Sequence, residues 1–352
     1  MIALSAYKLA NYLADVVQFS GETGSEDVNW ENIYGLAFGE INETSRNKCY
    51  FCFDEPNDKL NFFFKQSRSL SEANLRDIRS EAEFYALTAR AFKGSVGEHL
   101  PKLVYYDDYN SVIVTEYVPL AKPIGESGTF ATFNMAGKVL KQFHEVCKRD
   151  SVAAVWGDKK KWIDEFRFYE PKILRLTDSE ERKLSLNDDV YVVQFLSFLG
   201  HHSSQVKELR QRWKSEMNGL IHGDADVRNF IQKGNDIVIL DFECVAYGAW
   251  FWDVAVFIAS LLLKTDLPGV PAETVRASPF DIFPCIISFL RGYGIESAEM
   301  RQEILKWSGI YLLQEFLLRQ EEAIFFKYGL TLVDDTERCY QEIFALKYER
   351  RL

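Results

Sequence analysis

The sequence predicts an α+β protein of two lobes: a small antiparallel sheet with one long helix, then a larger and mainly helical half. Three observations carry this. Short apolar runs broken by turn residues fill the first 118 positions, apolar residues recur at helical spacing after Pro119, and one β-like island, Gly219–Glu243, interrupts the helices. The length agrees, because 352 residues are too many for one ordinary core. The expected division is residues 1–118 and residues 119–352.

The chain opens with an amphipathic helix pattern from about Ala6 to Val17. Ile33–Phe38 and Cys49–Phe53 read as strands flanking the Gly39–Asn47 interval, and a turn at Pro56–Asp58 leads to a third strand, Leu60–Lys65. Alternation along that strand puts Phe63 and Lys65 on one face and Leu60, Phe62 and Phe64 on the other. A helix is expected over Ser71–Phe92, with Leu75, Ile78, Ala82, Tyr85 and Ala89 as its buried stripe. Lys102–Tyr106 and Ser111–Val118 form a further strand pair around a turn at Asp107–Asn110. Helical spacing then runs through Phe133–Lys148, Val190–Gly200, Ser203–Met217, Trp250–Leu263, Phe280–Tyr293 and Ala298–Tyr328. The most apolar run, Ala246–Leu263, is interrupted by Asp253 and is shorter than a good membrane span, so it reads as a buried helix.

Lys and Arg total 41 against 52 Asp and Glu, a formal charge of −11. Such a surface repels nucleic-acid phosphates, which excludes nucleic acid as the main partner. Cys49 and Cys52, the one close cysteine pair, sit three apart on a strand and point to opposite faces, and no second pair completes a zinc site. The six cysteines are therefore read as reduced thiols. With no basic segment leading into an apolar stretch at the N-terminus, the expectation is a cytoplasmic protein without a membrane span.

The chemistry concentrates between Leu220 and Glu243. Asn229–Gln232 and Ile237–Leu240 are short apolar strands around a Gly234-Asn235 turn, a hairpin signature. Asp224 lies just before the hairpin, Asn229 opens it and Asp241 follows its second strand, so the three are expected to converge. Two carboxylates and an amide brought together require a compensating cation or substrate proton. Oxygen ligands of this kind suit Mg²⁺. Phosphoryl transfer uses such a set: a carboxylate orients and deprotonates the attacking hydroxyl, while metal ions neutralise the phosphates.

His222-Gly-Asp-Ala-Asp-Val-Arg-Asn229 resembles the HGDxxxxN form of the kinase catalytic loop, and Asp241 in Leu240-Asp-Phe-Glu243 resembles the metal-binding Asp that follows it. Together they resemble the aminoglycoside-phosphotransferase/choline-kinase family, which has the bilobal protein-kinase-like fold. The resemblance implies Asp224 as catalytic base, Asn229 and Asp241 as Mg²⁺ ligands, and ATP or GTP as phosphate donor. It also implies that Lys65 pairs the α/β-phosphates and is held by a Glu of the following helix. Glu81 lies nearer the apolar stripe than Glu83 and takes that place. Glu116–Val118 resembles the hinge whose backbone meets the purine, with Glu116 and Val118 as its contacts. Asp253 matches a family Asp that braces the catalytic loop from a buried helix. His222 is read as a structural residue of the loop, and Arg228 either neutralises the transferring phosphate or pairs with Asp226 or Asp241. Gly35, Gly39 and the polar interval up to Asn47 stand where the family has its nucleotide loop, without a GxGxxG, and a plain hairpin turn accounts for them equally.

By the same resemblance the acceptor is a small molecule bearing a hydroxyl, such as an aminoglycoside, amino alcohol or sugar. Its binding segments are expected at Trp156–Arg175 and Tyr311–Glu322, which mix aromatic and acidic residues. A kinase acting on Ser/Thr of a peptide or protein is the alternative, and a nucleotide-binding scaffold with little catalysis a third. Retention of Lys65, Asp224, Asn229 and Asp241 speaks against the scaffold.

Overall fold

The computed structural model describes residues 4–19, 37–41, 47–53, 61–92, 96–118, 121–148, 166–176, 178–184, 186, 189–267, 281–319 and 323–345. The chain divides into two compact units, residues 1–121 with 238–244, and residues 122–237 with 245–352.

The first unit holds helix α1 (Ala6–Phe19), strands β1 (Ala37–Ile41), β2 (Asn47–Phe53) and β3 (Phe62–Ser67), helix α2 (Glu72–Ala91), and strands β4 (Leu103–Asp107) and β5 (Val112–Glu116). The strands form one five-stranded sheet in the order β1-β2-β3-β5-β4, with every pair antiparallel. The alternation expected on β3 is observed from Phe62 on, and Leu60 lies outside the described residues. Phe62 and Phe64 enter a core with Tyr50, Cys52, Val112 and Val114, covered by Leu9, Tyr12 and Leu13 of α1. Lys65, on the other face, meets α2. Cys49 and Cys52 are both buried, Cys52 in that α1-covered core and Cys49 directly opposite Lys65.

Two details of this unit differ from expectation. Gly39, Glu40 and Ile41, read as turn, belong to β1. Gly39 pairs with Phe51, and a Cβ on it would lie 2.3 Å from that ring, so the glycine makes room for an aromatic neighbour. Ala89, assigned to the buried stripe of α2, is exposed. A strict seven-residue repeat drifts by about 20° per heptad on a straight helix, and from Leu75 to Ala89 the stripe rotates off the packed face. The helix itself starts where a cap was available: Ser71 accepts from the Asn74 amide. The expected strand start at Ile33, Gly35, and the turn at Pro56–Asp58 lie outside the described residues.

The second unit contains strand β6 (Lys122–Pro123), helices α3 (Ile124–Ser127), α4 (Phe130–Val146), α5 (Asp178–Leu184), α6 (Val190–His201) and α7 (Ser203–Glu216), and strands β7 (Met217–Ile221) and β8 (Phe230–Lys233). The chain leaves it through β9 (Asp236–Ile239), after a turn in which Gly234 takes φ +62°. It returns as β10 (Ala246–Ala249), then α8 (Phe251–Leu262), α9 (Ile282–Tyr293), α10 (Ala298–Arg319), α11 (Ala323–Asp334) and α12 (Thr336–Ile343). The apolar run Ala246–Leu263 is thus split, and its helix lies where helical spacing is read, Trp250–Leu263. Ala246–Ala249 pairs antiparallel with β7, and only from Phe251 is it helical, with all twelve residues of α8 buried. Ala298–Tyr328 is likewise two helices, and α12 and α5 were not expected.

Helices α4 and α9 pack at backbone distance. A Cβ on Gly137 would lie 2.1 Å from the Phe289 carbonyl oxygen, and one on Gly292 would lie 1.9 Å from that of Asn134. The approach lets Asn134 donate to the Ser288 carbonyl (3.1 Å) and Ser288 to that of Phe130 (2.6 Å). No described helix is long and apolar enough to cross a membrane.

Candidate functional site

Lys65 sits 5% exposed on β3 and carries three carboxylates. Its Nζ lies 2.8 Å from Glu81 Oε2 and 2.9 Å from Glu243 Oε2, and it also pairs with Asp241 Oδ1. Burial alone would push this ammonium down, but Asp241, Glu81 and Glu243 outweigh it and hold it well above the usual lysine range. Glu81, not Glu83, faces the lysine, and it also accepts from Tyr85 Oη (3.2 Å) and the Phe242 amide (3.2 Å). Burial pushes the Glu81 carboxyl up to about 7; Lys65 opposes that rise, and Asp241 and Glu243 add to it.

Local chemistry explains the clustering. Asp241 has φ +65°, the left-handed region that Asp tolerates better than most residues. The Phe242 ring stacks on Phe84 of α2 at 4.3 Å and meets Tyr85 edge-on at 5.8 Å. That aromatic anchor fixes the acids on either side of it beside Glu81. Carboxylate oxygens of Glu81, Asp241 and Glu243 lie within 4.8 Å of one another. Three carboxylates against one ammonium leave an excess of negative charge, and the donors are all hard oxygens, which fits Mg²⁺.

In the second unit, Asp224 and Asn229 are joined, with Asn229 Nδ2 donating to the Asp224 carbonyl at 2.8 Å. Asn229 ends a 3-10 turn, Val227–Asn229, instead of opening the strand as expected. Asp226 caps that turn by accepting from the Arg228 amide (2.8 Å) and grips the Arg228 guanidinium in two bonds of 2.9 and 3.1 Å. Arg228 thus pairs with Asp226, one of the partners expected for it. The segment before the turn depends on Asp253, which is fully buried. Asp253 accepts from the His222 amide (2.6 Å), the Gly223 amide (2.9 Å) and His144 Nε2 (2.9 Å). His144 Nδ1 is in turn 2.8 Å from Tyr293 Oη. His222 Nδ1 accepts from the Asp224 amide at 3.3 Å, so this imidazole shapes the loop.

Glu116 ends β5; its amide donates to the Lys102 carbonyl (2.9 Å), and the Tyr117 amide donates to that of Asn61 (2.8 Å). Val118 follows outside any regular element. The two segments expected to bind an acceptor are tied together in their described parts. Gln314 donates to Tyr169 Oη (2.6 Å) and accepts from the Lys172 amide (2.6 Å), and Trp252 bridges the Tyr169 and Tyr311 rings at 5.5 and 5.6 Å. Burial raises the Tyr311 phenol well above its usual range, followed by Glu315, Asp224 and Asp226. Trp156, Trp162, Asp164, Glu165, Glu321 and Glu322 lie outside the described residues. Sequence reasoning gave a role to neither Glu243 nor His144. Glu243 carried a signal, an acid two positions after Asp241; His144, a lone histidine in an apolar helix, carried none.

Residues 45–281, more than half of the chain, match the profile of the phosphotransferase enzyme family. A methylthioribose kinase of Geobacillus sp. (strain WCH70) is 24% identical over 239 residues, 62% of this chain, which spans 58% of that relative's length. Among solved structures, the Plasmodium vivax ethanolamine kinase aligns with a TM-score of 0.57 at 14% identity, covering 97% of this chain and 92% of that one. The choline kinase from Cryptosporidium parvum Iowa II gives 0.58 at 12% identity and 98% of both chains. An amicoumacin kinase solved in complex with AMP-PNP and Ca²⁺ gives 0.54 at 16% identity, with 90% of this chain and 92% of that one covered. These likenesses show the fold, which is the α+β, protein-kinase-like one expected from the sequence.

Proposed function

The chain belongs to the phosphotransferase enzyme family, and from that premise we propose that it transfers the γ-phosphoryl group of ATP or GTP, with Mg²⁺, to a hydroxyl of a small molecule. The observation that carries this reading is the buried Lys65 ammonium ion-paired to Glu81 and shared with Asp241 and Glu243. A buried lysine held among three acids is a poor stabilising device, since desolvation offsets most of the attraction. It is the equipment that phosphates and a divalent cation require.

Residues 1–118 supply the nucleotide side in this proposal, and residues 119–352 the catalytic and acceptor side. Lys65, held by Glu81, pairs the α/β-phosphates, and the backbone of Glu116 and Val118 meets the purine. Asn229 and Asp241 hold Mg²⁺, and Glu243 joins them. The cation, when bound, neutralises charge on the phosphate oxygens. Asp224 orients the acceptor hydroxyl and takes its proton as the hydroxyl oxygen bonds to the γ-phosphorus. The bond from that phosphorus to the β-phosphate oxygen breaks, and the nucleoside diphosphate leaves. Asp253 positions Asp224 through the loop amides.

An aminoglycoside, amino alcohol or sugar is the acceptor class. It is supported by the methylthioribose, ethanolamine and choline kinases among the relatives. The protein acts in the cytoplasm on this reading. The test uses γ-labelled ATP and GTP with Mg²⁺ and a panel of aminoglycosides, amino alcohols and sugars. Wild type labels a small product, and Asp224→Ala abolishes transfer while binding the Mg-nucleotide nearly as before. Full transfer by Asp224→Ala would overturn the mechanism, and label appearing only in protein would overturn the acceptor class.

A further inference from the structure

We infer that Asn47 is a positioning residue for the metal site, holding the Glu243 carboxylate in place with a neutral donor. The inference rests on the phosphotransferase reading above and adds to it a residue that the sequence presents only as the end of a turn. Asn47 opens β2, where it is paired with Ser67, and Cys49 two residues on is paired with Lys65. Residues opposite one another in an antiparallel pair share a face, and so do residues two apart on a strand. Asn47 therefore stands diagonally beside Lys65 on the same side of the sheet. It is 5% exposed, and its Nδ2 donates to Glu243 Oε2 at 2.7 Å, a contact spanning 196 positions of sequence. The backbone behind it is fixed too, because Arg68 Nε donates to the Asn47 carbonyl at 3.0 Å.

The charge pattern explains why an amide serves here. Glu243 Oε2 is shared between Asn47 and Lys65. Lys65 is in turn shared with Glu81 and Asp241 and is the group that must reach for phosphate. A second lysine or an arginine at position 47 would neutralise Glu243 and compete with a divalent cation. An aspartate would repel Glu243. An asparagine orients the carboxylate and leaves its charge to the metal, which is how hydrogen bonds behind a ligand tune a metal site.

The measurement is Mn²⁺ binding in the presence of ADP, followed by electron paramagnetic resonance, with metal-free ADP binding by calorimetry alongside. Asn47→Ala weakens Mn²⁺ binding by about 10- to 100-fold while metal-free ADP affinity stays within about threefold. Asn47→Ser keeps a shorter neutral donor and recovers part of the loss; it also serves if the alanine variant does not fold. Mn²⁺ binding unchanged in both variants would overturn the positioning role and leave the phosphotransferase reading standing. Equal losses of metal-bound and metal-free ADP affinity would overturn it as well, because they mark a general structural defect. Wild-type protein whose ADP binding ignores Mn²⁺ would instead sink the metal reading itself, and this inference with it.

Discussion

Replacing Asp253 by asparagine removes a charge and almost no volume, so what it disturbs is hydrogen bonding. The carboxylate serves two buried donors and one half-buried one: Oδ2 takes His144 Nε2 and the His222 amide, and Oδ1 takes the Gly223 amide. An asparagine has one acceptor oxygen. Oriented to keep the two bonds now on Oδ2, it turns its own NH₂ group against the Gly223 N–H. Leaving the half-buried Gly223 donor unsatisfied costs about 1 kcal/mol, and two charge-assisted bonds weaken to neutral ones at about 1 kcal/mol each. Easier burial of an amide than of a carboxylate offsets part of this, which leaves about 1–2 kcal/mol. Urea unfolding should show that loss as a lower midpoint at unchanged slope. Turnover should fall further than stability explains. Gly223 is held at φ +82° directly before Asp224, and a misplacement of about 1 Å in a reacting group costs about 100-fold. The exposed pair Arg79–Asp108 provides the control, because Asp108→Asn should cost less than about 1 kcal/mol. A folded Asp253→Asn protein with wild-type midpoint and turnover would refute the view that this carboxylate holds the loop.

Two further outcomes are expected. Gly292→Ala gains about 1 kcal/mol of helix propensity but places a Cβ 1.9 Å from a backbone oxygen that cannot yield. Overpacking of about 1–3 kcal/mol or more should therefore win and lower the thermal midpoint, and an unchanged or higher midpoint would contradict backbone contact between α4 and α9. Glu81, raised to about 7 chiefly by burial, binds a proton in the folded state at pH values where the unfolded chain has released it. Its contribution is thus full below about pH 4.5 and fades as pH rises through 7. Wild type should lose about 2 kcal/mol of stability between pH 5 and pH 8 that Glu81→Gln does not lose, as read from urea midpoints. Parallel pH profiles for the two proteins would count against it.

Much of the fold was legible because local pattern and tertiary packing agree there. The β3 alternation had one solution, with Phe62 and Phe64 on the core side and Lys65 away from it. The α2 boundaries followed from an apolar period, and Ser71 caps the start it marked. Failures came where composition outweighed pattern. Ala246–Ala249 is as apolar as the helix after it and reads with it as one buried run, though helical spacing begins only at Trp250; β7 offers an edge that its backbone pairs with. Gly39 looked like a turn residue until Phe51 supplied the reason for a glycine inside a strand.

The residues proposed for function divide along a related line. Lys65, Glu81, Asp224, Asn229 and Asp241 could be proposed because each stands at a fixed spacing within a short motif or element. Asn47, His144 and Tyr293 could not, because their partners lie 196, 109 and 149 positions away, and a lone Asn, His or Tyr has no pattern of its own. Each bonds either to a motif carboxylate or to the residue holding one, and none carries the charge that the chemistry would use. Charges that act on phosphate, metal or proton must recur at set intervals because the reaction's geometry sets those intervals. A neutral donor behind a carboxylate can come from any element that passes close by, so the supporting contacts are fixed by the fold and emerge only with it.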